Sequence, residues 1–513
     1  MAEALEKALE VRRVTGYFVF RLLVVIRNSG SNSGMNSSPK QTNADRAGDV
    51  FSAVDFALPN GAGRLAAARA CGRACGNAWY DADQGRTPPA YRYPPAVADW
   101  HHNLQTAWFE AYLEAWVRAT DPQEARIEPV DGLLKRLPTQ VDPNAAPTYI
   151  ALHNDRRELA GMRALDNGWL RIMREALLEW RDQLLDEDND AFRPKTRAAL
   201  LGDLKTWFRF CQIHGHTPLP AEHDALEAFV WAMAHPETGL GKKKTTVMRY
   251  LATIGRLHRV VTLPNPTTTE RMRAVIGRLD HVYRRINEAA AQASAPAPYV
   301  TEPAPGLTDD WLDALTPLYG DSLRDKRDLA VLWVAKSTLC RISELAALTV
   351  EQLTRNADGT AQVRLLYTKS NQTGELEYRF VSAEARGYLE AWLEAANITD
   401  GALFRGLRGG NGQNKVKDTA LTPRTLQNIF ARANDKLEAL SPIGFAPFSG
   451  HSARVGAAED MAAANIGGPA IQLAGGWKSP TMPARYARKS DVKNAGAAQL
   501  AALRAAQQKD EAI

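Results

Sequence analysis

The sequence predicts a mainly α-helical protein: an N-terminal helical bundle followed by a mostly helical domain with a small antiparallel β-sheet. Three observations predict it. Apolar residues recur at helical spacing from about 166 to 290, a Pro- and Ala-rich stretch at 289–306 interrupts the chain, and beyond it only two segments alternate as strands do. At 513 residues the chain exceeds what one hydrophobic core usually serves, so two or more domains are expected. Apolar (45%) and charged (24%) fractions are those of ordinary globular proteins and exclude a fibrous, collagen-like or wholly disordered chain.

Residues 1–50 are expected to be a flexible N-terminal segment, with the Gly/Ser/Asn-rich patch at 28–38 as linker. Within it, Tyr17 to Ile26 is about half the length of a membrane span and carries Arg21, so no transmembrane helix is expected. No small-residue cleavage site follows, and the Ser/Asn/Gly composition before Met35 makes it a candidate start of translation. Residues 51–165 read as a helical appendage of unassigned role, broken by turn-rich stretches such as Arg86 to Pro95. Trp100, His101 and His102 in its best helix are read as a packed aromatic and two ordinary histidines, since no third metal ligand stands at useful spacing.

Residues 166–288 form the expected helical bundle. Leu170, Ile172, Met173, Ala176, Leu177 and Trp180 make one apolar stripe; Leu200, Leu204, Trp207, Phe208 and Cys211 make the next. The run Asp186 to Pro194 separates those helices, and Pro218-Leu-Pro220 ends another. Residues 289–306 are the linker, and 307–513 the second domain. There helices are expected over Asp309 to Leu318 and Leu323 to Ala335, a hairpin over Ala361 to Thr368 and Leu376 to Val381 with Lys369 at its tip, then helices over Pro423 to Leu440 and Ser449 to Ala464 and an Ala-rich tail.

The net charge of +5 is unevenly spread. Residues 191–290 carry 16 Lys and Arg against 8 Asp and Glu, whereas residues 1–190 sum to four net negative charges. Lys242, Lys243, Lys244, Arg249, Arg256 and Arg259 cluster in a helical segment, suited to neutralising phosphates, although exposed basic helix faces are common in proteins that never meet DNA. Four cysteines, of which only Cys71 and Cys75 are close together, suggest neither a disulfide framework nor a zinc site and fit a reducing compartment.

Four short pieces carry the candidate chemistry: Thr338-Leu-Cys-Arg-Ile-Ser-Glu-Leu345, Tyr367-Thr-Lys-Ser370, Ser449-Gly-His-Ser-Ala-Arg-Val-Gly-Ala457, and Ala474-Gly-Gly-Trp to Ala484-Arg-Tyr486. Taken singly each is ordinary. His451 and Arg454, like Arg341 and Glu344, stand at i and i+3 and so share a helix face, as surface pairs often do. Lys369 alone is a turn lysine, and Tyr486 alone a packed aromatic.

Together and in this order, across about 150 residues, they resemble the tyrosine recombinase (phage integrase) family. The resemblance covers roughly residues 166–513 and implies a tyrosine recombinase fold closing as a C-shaped clamp on DNA. It implies a site-specific recombinase that cleaves and rejoins DNA through a 3′-phosphotyrosyl intermediate without metal or other cofactor. Tyr486 would be the nucleophile, and Arg341 and Arg454 would neutralise the phosphate. Lys369 would be the general acid, His451 a general base or phosphate-orienting group, Trp477 an indole N–H donor to the phosphate, and Glu344 a support for the cationic groups. Segments Thr196 to Cys211 and Lys244 to Arg259 would grip DNA, with Arg249 and Arg424 facing the major groove. The implied partners are double-stranded DNA bearing an inverted repeat and further copies of the chain, a dimer on one site and a tetramer in the synapse through a C-terminal interaction helix near 495–506. No membrane partner is implied, and the implied setting is a bacterial cytoplasm with plasmid or phage DNA.

Pro480 and Pro483 are expected to restrict helix formation just before Tyr486. Two other classes compete: a type IB topoisomerase-like strand-passage enzyme and a non-catalytic sequence-specific DNA-binding protein. A helical repeat protein is disfavoured because no fixed period recurs.

Overall fold

The computed structural model describes residues 50–486, except 60–62, 124–125, 155–156, 189–190, 301–303, 367–375, 409–414 and 439–446, together with Leu500 and Arg504. Met35, the tip lysine Lys369 and nearly all of the tail at 495–506 therefore lie outside the described residues. The chain divides into two compact units, Met1–Val300 and Thr301–Ile513.

In the first unit, helices α1 (Arg64–Asp81) and α2 (His102–Thr120) pack backbone against backbone. Gly72 and Gly76 make this approach possible: a Cβ there would fall 2.2 Å from the Trp108 carbonyl oxygen and 2.3 Å from that of Tyr112. Helix α3 (Pro129–Arg136) follows, then an antiparallel hairpin of β1 (Tyr149–Asn154) and β2 (Arg157–Ala164). This hairpin corrects the all-helical expectation for 51–165; its alternation is short and polar-flanked, which hides it among turn residues. The bundle continues with α4 (Asn167–Leu185), α5 (Pro194–His214), α6 (His223–Ala234), α7 (Lys244–Val260) and α8 (Glu270–Gln292). Asp166 caps α4 by accepting the Trp169 N–H at 2.9 Å, and Pro194 opens α5 where its missing N–H costs nothing. Leu170, Met173, Leu177 and Trp180 are buried as expected, whereas Ile172 faces solvent.

The boundary expected near 165 is not a boundary of packing. Tyr91 lies 5.2 Å from Phe109 and 5.6 Å from Phe210, ring centre to ring centre, and one cluster joins α2 aromatics to Trp207, Phe229 and Val247. Each such fully buried side chain contributes about 1.5–3 kcal/mol, so the N-terminal helices share the bundle's core. The linker also begins later than expected: α8 runs to Gln292, and Tyr299 stacks on Tyr283 at 4.1 Å.

The second unit is built around α10 (Leu323–Thr338), preceded by α9 (Asp309–Leu315) and followed by the short α11 (Ile342–Ala346). Strands β3 (Leu353–Arg355), β4 (Ala361–Leu365) and β5 (Glu377–Val381) form an antiparallel sheet in the order β3-β4-β5, with Ala361 opposite Val381. The expected hairpin is thus present, with an edge strand added. After α12 (Ala383–Ala395), a second hairpin of β6 (Arg405–Arg408) and β7 (Lys415–Ala420) was not foreseen. Helices α13 (Pro423–Glu438), α14 (Ser452–Ala463) and α15 (Gly468–Gly475) complete the unit. Buried Lys336 on α10 pairs with Asp309 and Asp460, tying α9 and α14 to the central helix.

Among the described residues no helix is long and apolar enough to cross a membrane, and no cluster of metal-ligating side chains occurs. All four cysteines are buried free thiols.

Candidate active site

Arg454 is the fixed centre. It sits in the first turn of α14 and is 1% exposed. Its guanidinium donates to the carbonyl oxygens of Leu339 and, at 2.9 Å, Gly475, and lies 4.7 Å from the centre of the Trp477 ring. Leu339 adopts a left-handed conformation (φ 52°) at the end of α10, a strain of about 1 kcal/mol for a non-glycine residue, and its carbonyl serves Arg454. Burial, then the nearby Arg341 charge, pulls the Arg454 pKa down to about 10, so it stays charged at neutrality. Its Nε–H has no hydrogen-bond partner among the described residues. A buried cation with a spare donor is suited to an anionic ligand.

Arg341 and Glu344 are not a surface ion pair. Arg341 is the N-cap of α11; the buried Glu344 carboxylate accepts its backbone N–H at 2.8 Å and its guanidinium N–H at 2.6 Å. One carboxylate thereby fixes both the helix start and the direction of the arginine.

Tyr486 is 5% exposed, and its hydroxyl lies 2.7 Å from Nε2 of His451. Burial raises the Tyr486 pKa, partly opposed by the charges of Arg454, Arg485 and Arg341. Burial, together with Arg454 and Arg341, lowers that of His451, which keeps the imidazole neutral at pH 7 and able to accept a proton. The two prolines do not prevent a helix here. Residues 481–486 are helical, and their first internal hydrogen bond runs from Ala484 N–H to the Pro480 oxygen at 3.1 Å. Pro483 occupies the first turn, where N–H groups have no helical partner to lose.

Trp477 is buried, its ring centre 5.8 Å from that of Tyr486. The turn before it consists of two glycines for steric reasons. A Cβ on Gly475 would fall 2.0 Å from the Trp477 ring; Gly476 has φ +59°, and a Cβ there would fall 2.0 Å from Nη2 of Arg379. Arg379, on β5 and 4% exposed, was missed by sequence reasoning. No signal in the sequence marked it: in Glu377-Tyr-Arg-Phe-Val381 alternation suggests buried aromatics, whereas the arginine points inward and Tyr378 and Phe380 face solvent.

Of the expected DNA-contacting residues, Lys243 and Arg424 are exposed. Lys242 is turned inward: its ammonium donates to the Tyr93 hydroxyl at 2.8 Å, and burial brings its pKa down to about 8. That corrects its expected place in the basic surface, because Tyr93 from the stretch before the bundle packs on it. Lys244 pairs with Asp280 at 2.7 Å, and Arg249 with the buried Asp203 at 2.9 Å. Arg249, Arg256 and Arg259 line one groove of about 520 Å³ with Leu200 and Thr253.

Comparisons with known proteins agree with the geometry. Residues 307–493 match the phage integrase family. The chain is 28% identical over 322 residues to recombinase Cre of Escherichia phage P1, covering 61% of this chain and 90% of Cre. It is 25% identical over 308 residues to an integrase/recombinase XerD homologue of Selenomonas ruminantium, covering 58% of this chain and 82% of that protein. Among solved structures, the Tn1549 transposon integrase in complex with circular intermediate DNA aligns with a TM-score of 0.41 and 14% identity, covering 61% of this chain and 94% of that one. With histidine, arginines, tryptophan and tyrosine converging within it, the matched domain, residues 307–493, is a phage integrase domain, that of the tyrosine site-specific recombinases.

Proposed function

We propose that the chain, like Cre, cuts and rejoins DNA at inverted-repeat sites through a 3′-phosphotyrosyl bond to Tyr486. The observation that carries this reading is the 2.7 Å contact between the Tyr486 hydroxyl and neutral His451, beside a buried arginine with a spare donor. In cleavage the Tyr486 oxygen forms a bond to phosphorus, the bond from phosphorus to the 5′-oxygen breaks, and the phenolic proton passes to Nε2 of His451. Arg454 and Arg341 neutralise the non-bridging oxygens, Glu344 holds Arg341, and the Trp477 indole N–H donates to the phosphate. Lys369 protonates the departing 5′-oxygen. The phosphotyrosyl ester conserves the bond energy, so rejoining is the reverse reaction with a new 5′-hydroxyl and needs no ATP.

Arg256, Arg259 and Lys243 grip the backbone of the duplex, and Arg249, held by Asp203, and Arg424 read bases in the major groove. One inverted repeat takes two copies of the chain and a synapse takes four, with the C-terminal tail exchanged between copies. The work is done in a bacterial cytoplasm, on phage or plasmid DNA.

The test is a supercoiled plasmid bearing two inverted-repeat candidates from the DNA flanking the gene. Deletion or inversion between the two sites supports the proposal. Relaxed topoisomers without exchange indicate a strand-passage enzyme, and specific binding with unaltered DNA a binding protein.

A further inference from the structure

The inverted strand β5 poses a question that the reaction as described does not answer. A charged side chain occupies an inward position of a sheet, with two large aromatics turned to solvent: Tyr378 is 53% and Phe380 58% exposed. A one-residue slip in register would bury both aromatics and release the arginine. Burying a guanidinium costs several kcal/mol unless its surroundings compensate. Arg379 is compensated only in part. Its Nη2 donates to Glu377 and its Nη1 to the Tyr378 carbonyl at 3.2 Å, while its buried Nε–H has no partner among the described residues.

What the arrangement accomplishes is visible in its neighbours. The Arg379–Glu377 pair lies against the Cα of Gly476, so closely that a Cβ there would come within 2.0 Å of Nη2 and 3.1 Å of the Glu377 carboxylate. Gly476 ends α15 in the left-handed conformation (φ 59°, ψ 42°). The residue before it supplies the carbonyl that holds Arg454, and the residue after it is Trp477, whose ring packs on Gly475 and faces Arg454. Both groups meant for the phosphate thus hang from a two-glycine turn, and Arg379 is the side chain braced against that turn. It also stands on the strand that leads out of the segment carrying Lys369.

We infer that Arg379, locked by Glu377, is a positioning residue for the cleavage reaction: it sets the Gly475–Gly476 turn and so the placement of Trp477 and Arg454 on the scissile phosphate. The inference rests on the function proposed above. It assigns Arg379 no bond to DNA and no proton transfer. The two-pronged guanidinium spans Glu377 and the Tyr378 carbonyl together, which one ammonium on a flexible stem does not reproduce.

The experiment compares full-length wild type with Arg379→Met, Arg379→Lys and Glu377→Gln on a nicked inverted-repeat duplex that wild type cleaves. Affinity and single-turnover cleavage rate are measured, and the rate is repeated on the same duplex with sulfur replacing the bridging 5′-oxygen. That leaving group departs without a proton and so relieves any defect in general-acid catalysis. Expected are affinities within about twofold of wild type and cleavage at least about 30-fold slower for Arg379→Met. Arg379→Lys gives only partial recovery, and the sulfur substrate none, because the defect lies in phosphate stabilisation. Glu377→Gln gives the same pattern in milder form and decides the matter if Arg379→Met does not fold. Wild-type rates in the folded variants overturn the inference, as does recovery on the sulfur substrate, which would assign Arg379 to the placement of Lys369. Loss of rate only in proportion to folded protein overturns it too, reducing Arg379 to a structural residue. If wild type cleaves no duplex, the proposed function itself fails, a result distinct from any of these.

Discussion

The imidazole of His451 and the phenol of Tyr486 meet at 2.7 Å, with the histidine pKa lowered and the tyrosine pKa raised by their common burial. The shared burial favours the uncharged form of both rings, which face each other across this contact. Because burial and the charges of Arg454 and Arg341 lower the His451 pKa from the ordinary imidazole value, the acid limb of single-turnover cleavage, where the ring protonates, should lie at lower pH than a free imidazole would give. His451→Gln keeps a hydrogen-bond acceptor but takes no proton. It should lower the rate by about 10²–10⁴ and abolish the acid limb, as read from pH–rate profiles of both proteins. An unchanged acid limb in the variant assigns that limb to another group.

Glu344 accepts two hydrogen bonds from Arg341 while nearly excluded from water. Glu344→Ala leaves both donors without their acceptor and should cost about 1–3 kcal/mol of stability. It should also slow cleavage more than it weakens DNA binding, since Arg341 loses its direction rather than its charge. Urea unfolding alongside single-turnover kinetics measures both; an intact cleavage rate would show that Arg341 needs no such support.

In the first unit, His258 is buried, accepting the Ala221 N–H at 2.9 Å through Nε2 while Nδ1 lies 2.8 Å from the Ile254 oxygen. Burial lowers its folded pKa to about 4 from 6.5. Between these values the unfolded chain binds the proton and the folded chain does not, so its contribution is fully present above about pH 6.5 and is lost as pH falls toward 4. The slope is about 1.4 kcal/mol per pH unit. Chemical unfolding of wild type and His258→Gln across that window should give a shallower pH dependence for the variant, though not a flat one, because buried His214 is lowered in the same way.

Asp203 is buried on α5, accepting from Thr253 at 2.9 Å while pairing with half-exposed Arg249 on α7. The carboxylate orients an arginine that faces the groove. Asp203→Asn should lower affinity for the cognate duplex about tenfold and leave binding to unrelated DNA unchanged, as measured by fluorescence anisotropy at fixed salt. Equal loss on both duplexes would make Arg249 a backbone contact only.

The helices were legible because their apolar spacing and breaks are local properties. The run Asp186 to Pro194 lies between α4 and α5 and Asp309 opens α9, as read from the sequence. The candidate residues stood out through their order along the chain, but not the reasons for their geometry. The capping role of Glu344, the strained carbonyl of Leu339 and the inward turn of Lys242 depend on partners far away in sequence or on burial, which spacing does not encode. Arg379 was missed because alternation in β5 suggests that Tyr378 and Phe380 face the core, and tertiary packing chose the opposite face. The prolines before Tyr486 misled for a simpler reason: their effect depends on whether they fall in the first turn or the interior of a helix, and the sequence does not mark that boundary.

The most direct test is covalent trapping. Full-length wild type and Tyr486→Phe are incubated with inverted-repeat duplexes from the DNA flanking the gene, and denaturing gels are examined for a protease-sensitive protein–DNA adduct. An adduct formed by wild type and absent from Tyr486→Phe is the predicted result. An adduct that persists in Tyr486→Phe would place the nucleophile elsewhere, and no adduct on a duplex that wild type binds specifically would contradict strand cleavage through tyrosine.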